Sequence, residues 1–222
     1  MSLLTQTVGA IARDIPGATE VFRQYGISYC CGGDTPLLQA AQDKQVPQAE
    51  LEQALLGLSR NSGDTSGSWS EKSDTELIEH ILTRYHDVHR RQLPELARLS
   101  ARVELVHGGH PKCPVALTAH LEQMQAELEE HMSKEEEVLF PMISRGMHSV
   151  AAGPAQVMRH EHDDHGEALR TIRRLTHDLT PPEGACNTWQ ALYRGLEELE
   201  IDLVEHIHLE NNILFDRLNA TA

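Results

Sequence analysis

Aromatic residues are scarce: Phe, Trp and Tyr make up 4% of the chain, so Leu, Ile and Val have to supply the core. Positive charge is also short. Lys plus Arg number 19 against 34 Asp plus Glu, a formal charge of -15. That balance argues against a phosphate-binding, nucleic-acid-facing surface and against a polybasic membrane patch. No stretch approaches the roughly 18 uncharged apolar residues that a membrane span needs. Met1 to Phe22 has neither a basic start nor a continuous apolar run, and is not read as a secretory signal. Cysteine occurs four times. Without a signal segment this points to a reducing compartment, where Cys is more often reactive or a ligand than a staple. At 40% apolar residues the chain is no disordered acidic tail, and 222 residues suffice for one large domain or two small ones. What the sequence has in excess is histidine, 14 residues of it.

The chain reads as helical nearly throughout, an all-α protein. Short helices come first: one opened by Ile15-Pro16 and closed at Gly26, one from Thr35-Pro36 through Lys44, and one from Pro47 to about Arg60. The run from Asn61 to Ser68 has linker composition. The expected division is a small helical domain over 1–60, a linker over 61–73, and a larger unit over 74–222. Ser73-Asp74-Thr75-Glu76 fits a capping box at the start of that unit. Four long helices follow: one to Gly108, one from about Pro114 to Arg145, one from near Pro154 to about Asp178, and one from about Thr188 to Leu218. Short connections between long helices predict an antiparallel four-helix bundle.

An internal repeat picks out a few of the histidines. The second and fourth long helices both read E-H-x-x-x-E-x-x-x-L-F, at Glu130 to Phe140 and Glu205 to Phe215, 75 residues apart. The first and third both read H-D-x-x-H, at His86 to His89 and His162 to His165, 76 residues apart. His and Glu at i and i+4 share one helix face. Two such pairs, with one His from each of the other helices, converge inside a bundle, and this is the ligand set of di-iron and di-manganese proteins. The expected ligands are His86, His131, Glu135, His162, His206 and Glu210. Two six-coordinate ions bridged by two glutamates and an oxo or hydroxo group, with four histidines, keep about one open position each. Leu139-Phe140 and Leu214-Phe215 are expected to pack below the site and keep it dry.

Other residues are placed outside this set. Were the first long helix continuous through Pro94, His107 would stand about 31 Å from His86. His89 and His165 are read as supporting or surface residues, although extra ligation stays open. Asp87, Asp163 and Glu127 are candidates to orient ligands or carry iron and protons. His80, His110, His120, His148, His160, His177 and His208 are expected in solvent, and Cys113 and Cys186 are expected to be incidental. Cys30 and Cys31 are neighbours, whose Cα atoms sit closer than a disulfide prefers. Beside Gly32-Gly33 they are expected to be exposed, as redox thiols, transient iron or nitrosyl ligands, or inert thiols.

The chain resembles the repair-of-iron-centres family, di-iron iron–sulfur cluster repair proteins with a hemerythrin-like domain. The resemblance covers nearly the whole length. Its markers are Tyr29-Cys30-Cys31-Gly32-Gly33, Arg84-Tyr85-His86-Asp87, Leu93-Pro94-Glu95-Leu96, His131 to Glu135 with Leu139 to Ile143, Glu161-His162-Asp163, and His206 to Asn212. It implies a cytoplasmic bacterial protein, induced by nitric oxide and oxidative stress, that restores damaged clusters by supplying iron. It also implies a centre of two non-haem iron ions with an oxo or hydroxo bridge that can react with nitric oxide. By position, His86, His131, His162 and His206 become terminal ligands and Glu135 and Glu210 bridges, while His107 matches a recurring family histidine. The expected partners are iron–sulfur client proteins and nitric oxide or dioxygen, with no nucleic acid and no membrane; a homodimer stays open. The competing readings are a nitric oxide reductase or scavenger, an oxygen or nitric oxide carrier or sensor, and a structural zinc protein.

Overall fold

Helices begin earlier than the sequence suggests. Thr7 accepts a hydrogen bond from the Ala10 N–H through its hydroxyl and starts α1 (Val8–Asp14), a helix the sequence reading left out. Val8, Ile11 and Ala12 lie on its buried face at helical spacing. The next helices are α2 (Ala18–Gln24), α3 (Leu37–Asp43) and α4 (Gln48–Asn61). Their buried faces enclose Phe22, Tyr29, Leu37, Leu51 and Leu55 in a core of their own, which Val204 of the bundle joins. The computed structural model describes residues 2–61 and 69–219, so most of the linker expected over 61–73 lies outside the described residues.

The bundle follows. Its first long helix is α5 (Asp74–Ile81), a π-helical turn (Leu82–His86) and α6 (Asp87–His107). The second is α7 (Leu117–Lys134), a π turn (Glu135–Leu139) and α8 (Phe140–Ser144). The third is α9 (His148–Leu175), and the fourth is α10 (Asn187–Leu209), a π turn (Glu210–Leu214) and α11 (Asp216–Asn219). Helix α6 packs on α7 and α10, and α9 on α7 and α10, closing a four-helix ring. Among the described residues there is no strand, only one bridge between Thr7 and Pro36. None of the described helices is long and apolar enough to cross a membrane.

Local chemistry explains the helix ends. Ser73 caps α5 by accepting from the Glu76 N–H, while the Glu76 carboxylate accepts from the Ser73 N–H at 3.0 Å. Gly146, with φ 72°, ends the second long helix in the left-handed region that favours glycine. Helix α9 begins at His148, six residues before the expected start at Pro154. Ala151 and Ala155 are buried there, and their packing carries the helix through the proline. Helix α6 likewise runs through Pro94.

Two apolar cores divide the bundle lengthwise. One, towards the α6–α7 and α9–α10 connections, is built on Leu121, Leu128, Trp189, Leu196 and Leu203. The other is built on Ile81, Tyr85, Phe140, Leu214 and Phe215. A layer of buried polar side chains lies between them.

Candidate metal centre

Each long helix contributes one histidine to this layer, and two contribute a glutamate. His86, His131, Glu135, His162, His206 and Glu210 are all buried. Their donor atoms form two overlapping groups. His86, His206, Glu135 and Glu210 each place one donor within 4.8 Å of the others, and so do His131, His162, Glu135 and Glu210. Both glutamates belong to both groups.

The carboxylate oxygens divide between the two positions. Glu135 Oε2 lies 3.4 Å from His86 Nε2 and its Oε1 3.4 Å from His131 Nε2. Glu210 Oε1 lies 3.0 Å from His206 Nε2 and its Oε2 3.1 Å from His162 Nε2. Across each position two imidazole nitrogens face each other, His86 and His206 at 3.2 Å, His131 and His162 at 3.1 Å. Neither oxygen of Glu135 has a hydrogen-bond partner. A buried carboxylate without a partner costs several kcal/mol, and facing lone pairs add repulsion. A cation at each position removes both penalties, so the donor set fits metal.

The electrostatics agree. Burial pushes the Glu135 carboxyl well above its ordinary value, helped by the nearby Glu210. Against the push of burial, His206 and His162 hold Glu210 well below its own. Burial, then His206, brings His86 down to about 4, and burial with His162 pulls His131 well down. The His86 and His131 rings are therefore neutral at physiological pH, as ligation requires.

Three of the four rings are gripped from behind. His86 Nδ1 meets Glu136 at 2.7 Å, and Glu136 accepts from Arg90 at 2.8 Å. His131 Nδ1 meets Glu161 at 2.9 Å, and Glu161 accepts from Lys134 at 2.8 Å. His162 Nδ1 meets Asn211 Oδ1 at 2.9 Å. His206 Nδ1 is buried without a partner, and its ring lies parallel to Tyr85 at 5.4 Å. Such partners orient the ring and raise its basicity. Below the layer Phe140 stacks on His86 and Phe215 on His162. All three π turns sit at site residues: one ends at His86, one begins at Glu135 and one at Glu210. Such turns are rare and favour functional positions.

Several expectations change. Of the two places expected for His89 and His165, burial removes the surface one; His89 lies 5.4 Å from His206 and His165 4.9 Å from His131, ring to ring, and both fall outside the two groups. His208 is buried rather than solvated, its Nδ1 accepting from Asn212 at 2.9 Å. Asp87, Asp163 and Glu127 are exposed; the partners that touch the ligand rings are Glu136, Glu161 and Asn211, which sequence reasoning missed. His107 stands at the other end of α6, 3.3 Å from the Cys186 thiol.

The cysteine pair is not exposed either. Cys30 is buried and Cys31 half-buried, because the segment lies on the bundle beside the metal layer. The thiols lie 3.6 Å apart, and Cys31 Sγ donates to the His162 carbonyl at 3.4 Å.

Four antiparallel helices enclosing paired His and Glu donors define a cation-binding bundle. Residues 77–218 match the Hemerythrin HHE cation binding domain, and residues 4–59 match ScdA_N, a Domain of Unknown function (DUF542). The chain is 50% identical over 217 residues to proteins named Iron-sulfur cluster repair protein YtfE from Yersinia pseudotuberculosis serotype IB (strain PB1/+) and Yersinia pestis (strain Pestoides F), covering 98% of each chain. The chain belongs to this two-domain branch of the hemerythrin HHE family.

Proposed function

We propose that the chain repairs iron–sulfur clusters damaged by nitric oxide or oxidative stress, and that it does so by supplying iron from a two-iron centre. The division of both carboxylates between two histidine pairs carries this reading. His86 and His206 would hold one ion and His131 and His162 the other, with Glu135 and Glu210 shared between the two positions. A shared oxo or hydroxo ligand belongs to the same reading. Imidazole and carboxylate together suit iron, whereas structural zinc sites favour four ligands around a single ion. The names of relatives that are half identical and of equal length support the repair role.

When bound, the ions supply redox chemistry and Lewis acidity. The chain's own residues supply the rest. Glu136, Glu161 and Asn211 aim the imidazoles. Phe140 and Phe215 exclude water from one side. Glu135 and Glu210 are the two groups whose protonation loosens both positions at once. Each position draws about four donors from the protein, and iron takes about six, which leaves room for a small ligand such as nitric oxide. Residues 1–60 and 74–222 act as two domains, and the clients are iron–sulfur proteins.

The test has two arms. Metal analysis and a Mössbauer spectrum of protein purified without added metal should show two non-haem irons per chain. Iron-loaded protein mixed with an apo iron–sulfur protein should then restore the client's cluster. No recovery, with the iron still bound, overturns donation.

A further inference from the structure

The four ligand rings are not supported alike. Glu136 and Glu161, which hold His86 and His131, are bundle residues tied to the bundle residues Arg90 and Lys134. The support of His162 leads out of the bundle. Its Nε2 faces the centre, so its Nδ1 carries the proton and donates to Asn211 Oδ1 at 2.9 Å. That fixes the amide: Asn211 Nδ2 donates to the Cys30 carbonyl at 3.0 Å. The neighbouring Asn212 repeats the pattern one residue along, donating to the Tyr29 carbonyl at 2.9 Å. Cys31 closes the set by donating from its thiol to the His162 carbonyl. Three consecutive residues of the amino-terminal domain thus hydrogen-bond to His162 or to the two asparagines of the π turn after Glu210.

The contact is also close-packed. A Cβ on Gly33 or Gly9 would collide with the Asn212 side chain, so both glycines let that side chain reach the amino-terminal domain's backbone. Around them Tyr29 donates its hydroxyl to Glu205 at 3.3 Å and lies edge-on to His208.

We propose that Asn211 is a positioning residue through which the amino-terminal domain holds His162 in its ligating orientation, so that the metal position of His131 and His162 is retained only while the Tyr29–Cys31 backbone is docked. The inference rests on the reading of His162 as a ligand. With the domain down, the amide is held at both ends and the ring cannot turn about its Cβ–Cγ bond. With the domain lifted, Asn211 loses its anchor on the Cys30 carbonyl, and the imidazole is free to rotate away from the metal. Among the described residues the position of His86 and His206 has no such link. The domain thereby becomes a latch on one of two otherwise similar positions.

Iron loss to an excess of chelator tests this in full-length protein, comparing wild type with Asn211→Ala and Gly33→Ala. Loss of an outer partner typically weakens metal binding about 10–100-fold. Asn211→Ala should therefore release one of two irons about 10–100-fold faster than wild type, with only one iron environment altered in the Mössbauer spectrum. Gly33→Ala touches no ligand and wedges the domain off Asn212; it should speed loss of the same iron, with the lifted domain seen as faster proteolysis within residues 4–59. Where Asn211→Ala fails to fold by circular dichroism, Gly33→Ala carries the test alone. Uniform release of both irons at the wild-type rate in Asn211→Ala, or a lifted domain in Gly33→Ala with unchanged iron loss, overturns the proposal. A wild-type chain that takes up no iron overturns the ligand reading as well, which separates the two failures.

Discussion

The two positions of the centre share both glutamates and each receive two imidazole nitrogens, yet their surroundings differ. On the His86 and His206 side, one ring is clamped by Glu136 and Arg90, and the other lies flat on Tyr85 with its outer nitrogen unpartnered. On the His131 and His162 side both rings are clamped, one by Glu161 and one by Asn211. A repeated sequence motif built matching donors, while the residues behind them differ in type: Glu136 and Asn211 hold one place in the repeat, Tyr85 and Glu161 another. Equivalent donors therefore need not bind or release metal equally.

The comparison can be broken outright by removing what both sides share. Glu210→Ala, or Glu135→Ala, should leave no iron bound after desalting, measured by elemental analysis, because each position loses a donor and a bridge. An Ala variant retaining one full equivalent would show that the positions do not share that carboxylate. Next in size is metal removal itself. At a free metal concentration about 1,000 times the dissociation constant, binding stabilises the folded state by about 4 kcal/mol. A chelated sample should therefore melt well below the loaded one, and coincident melting curves would contradict a centre formed only in the folded state.

A sharper comparison comes from the outer partners. Glu136→Gln should weaken the His86 position, and Glu161→Gln the His131 position, each by about 10–100-fold. Titration with a competing chelator should show one affinity falling in each variant, on opposite sides. The smallest effect should lie at the helix end. Ser73→Ala removes a cap worth about 1 kcal/mol and should lower the melting temperature without moving either affinity. The Ser73 N–H, and with it the Ser73 hydroxyl that Ser73→Ala removes, holds the Glu76 carboxyl below the 4.5 of an unperturbed glutamate. The cap is therefore complete above that pH and is lost as pH falls through the depressed folded value. An acid melt of Ser73→Ala should show a smaller pH dependence than wild type.

Much of this was legible in the residues because helical periodicity is local. His131 and Glu135 are one turn apart whatever else the chain does, and so are His206 and Glu210. The paired H-D-x-x-H segments named the remaining two rings. What lay outside the sequence depends on contacts between helices. Glu136 follows Glu135 and looks like one more surface acid, but it faces His86 across the bundle. Asp87 and Asp163 looked like orienting groups because they adjoin histidines, yet successive helix residues point apart, and both face solvent. The cysteine pair was expected to be exposed because its glycines were read as giving access. In the structure Gly33 instead lets Asn212 come close, and the pair is covered. Helix α1 is as short as α2 and α3, but it lacks the proline that stands before each of them and marks their starts in the sequence.

The π turns have a further consequence. In the second and fourth long helices, the N–H that reaches back to the glutamate carbonyl belongs to Phe140 and to Phe215, five residues on, where an α-helix would offer Leu139 or Leu214. One surplus residue per turn acts as an angular spacer, seating Phe140 against His86 and Phe215 against His162. Deleting a single residue from Glu136–Val138 would close that spacer, and the Phe140 N–H would meet the same carbonyl from four residues on, as in an α-helix. The aromatic layer beneath His86 would keep its occupant, while the widened turn beside Glu135 would be gone.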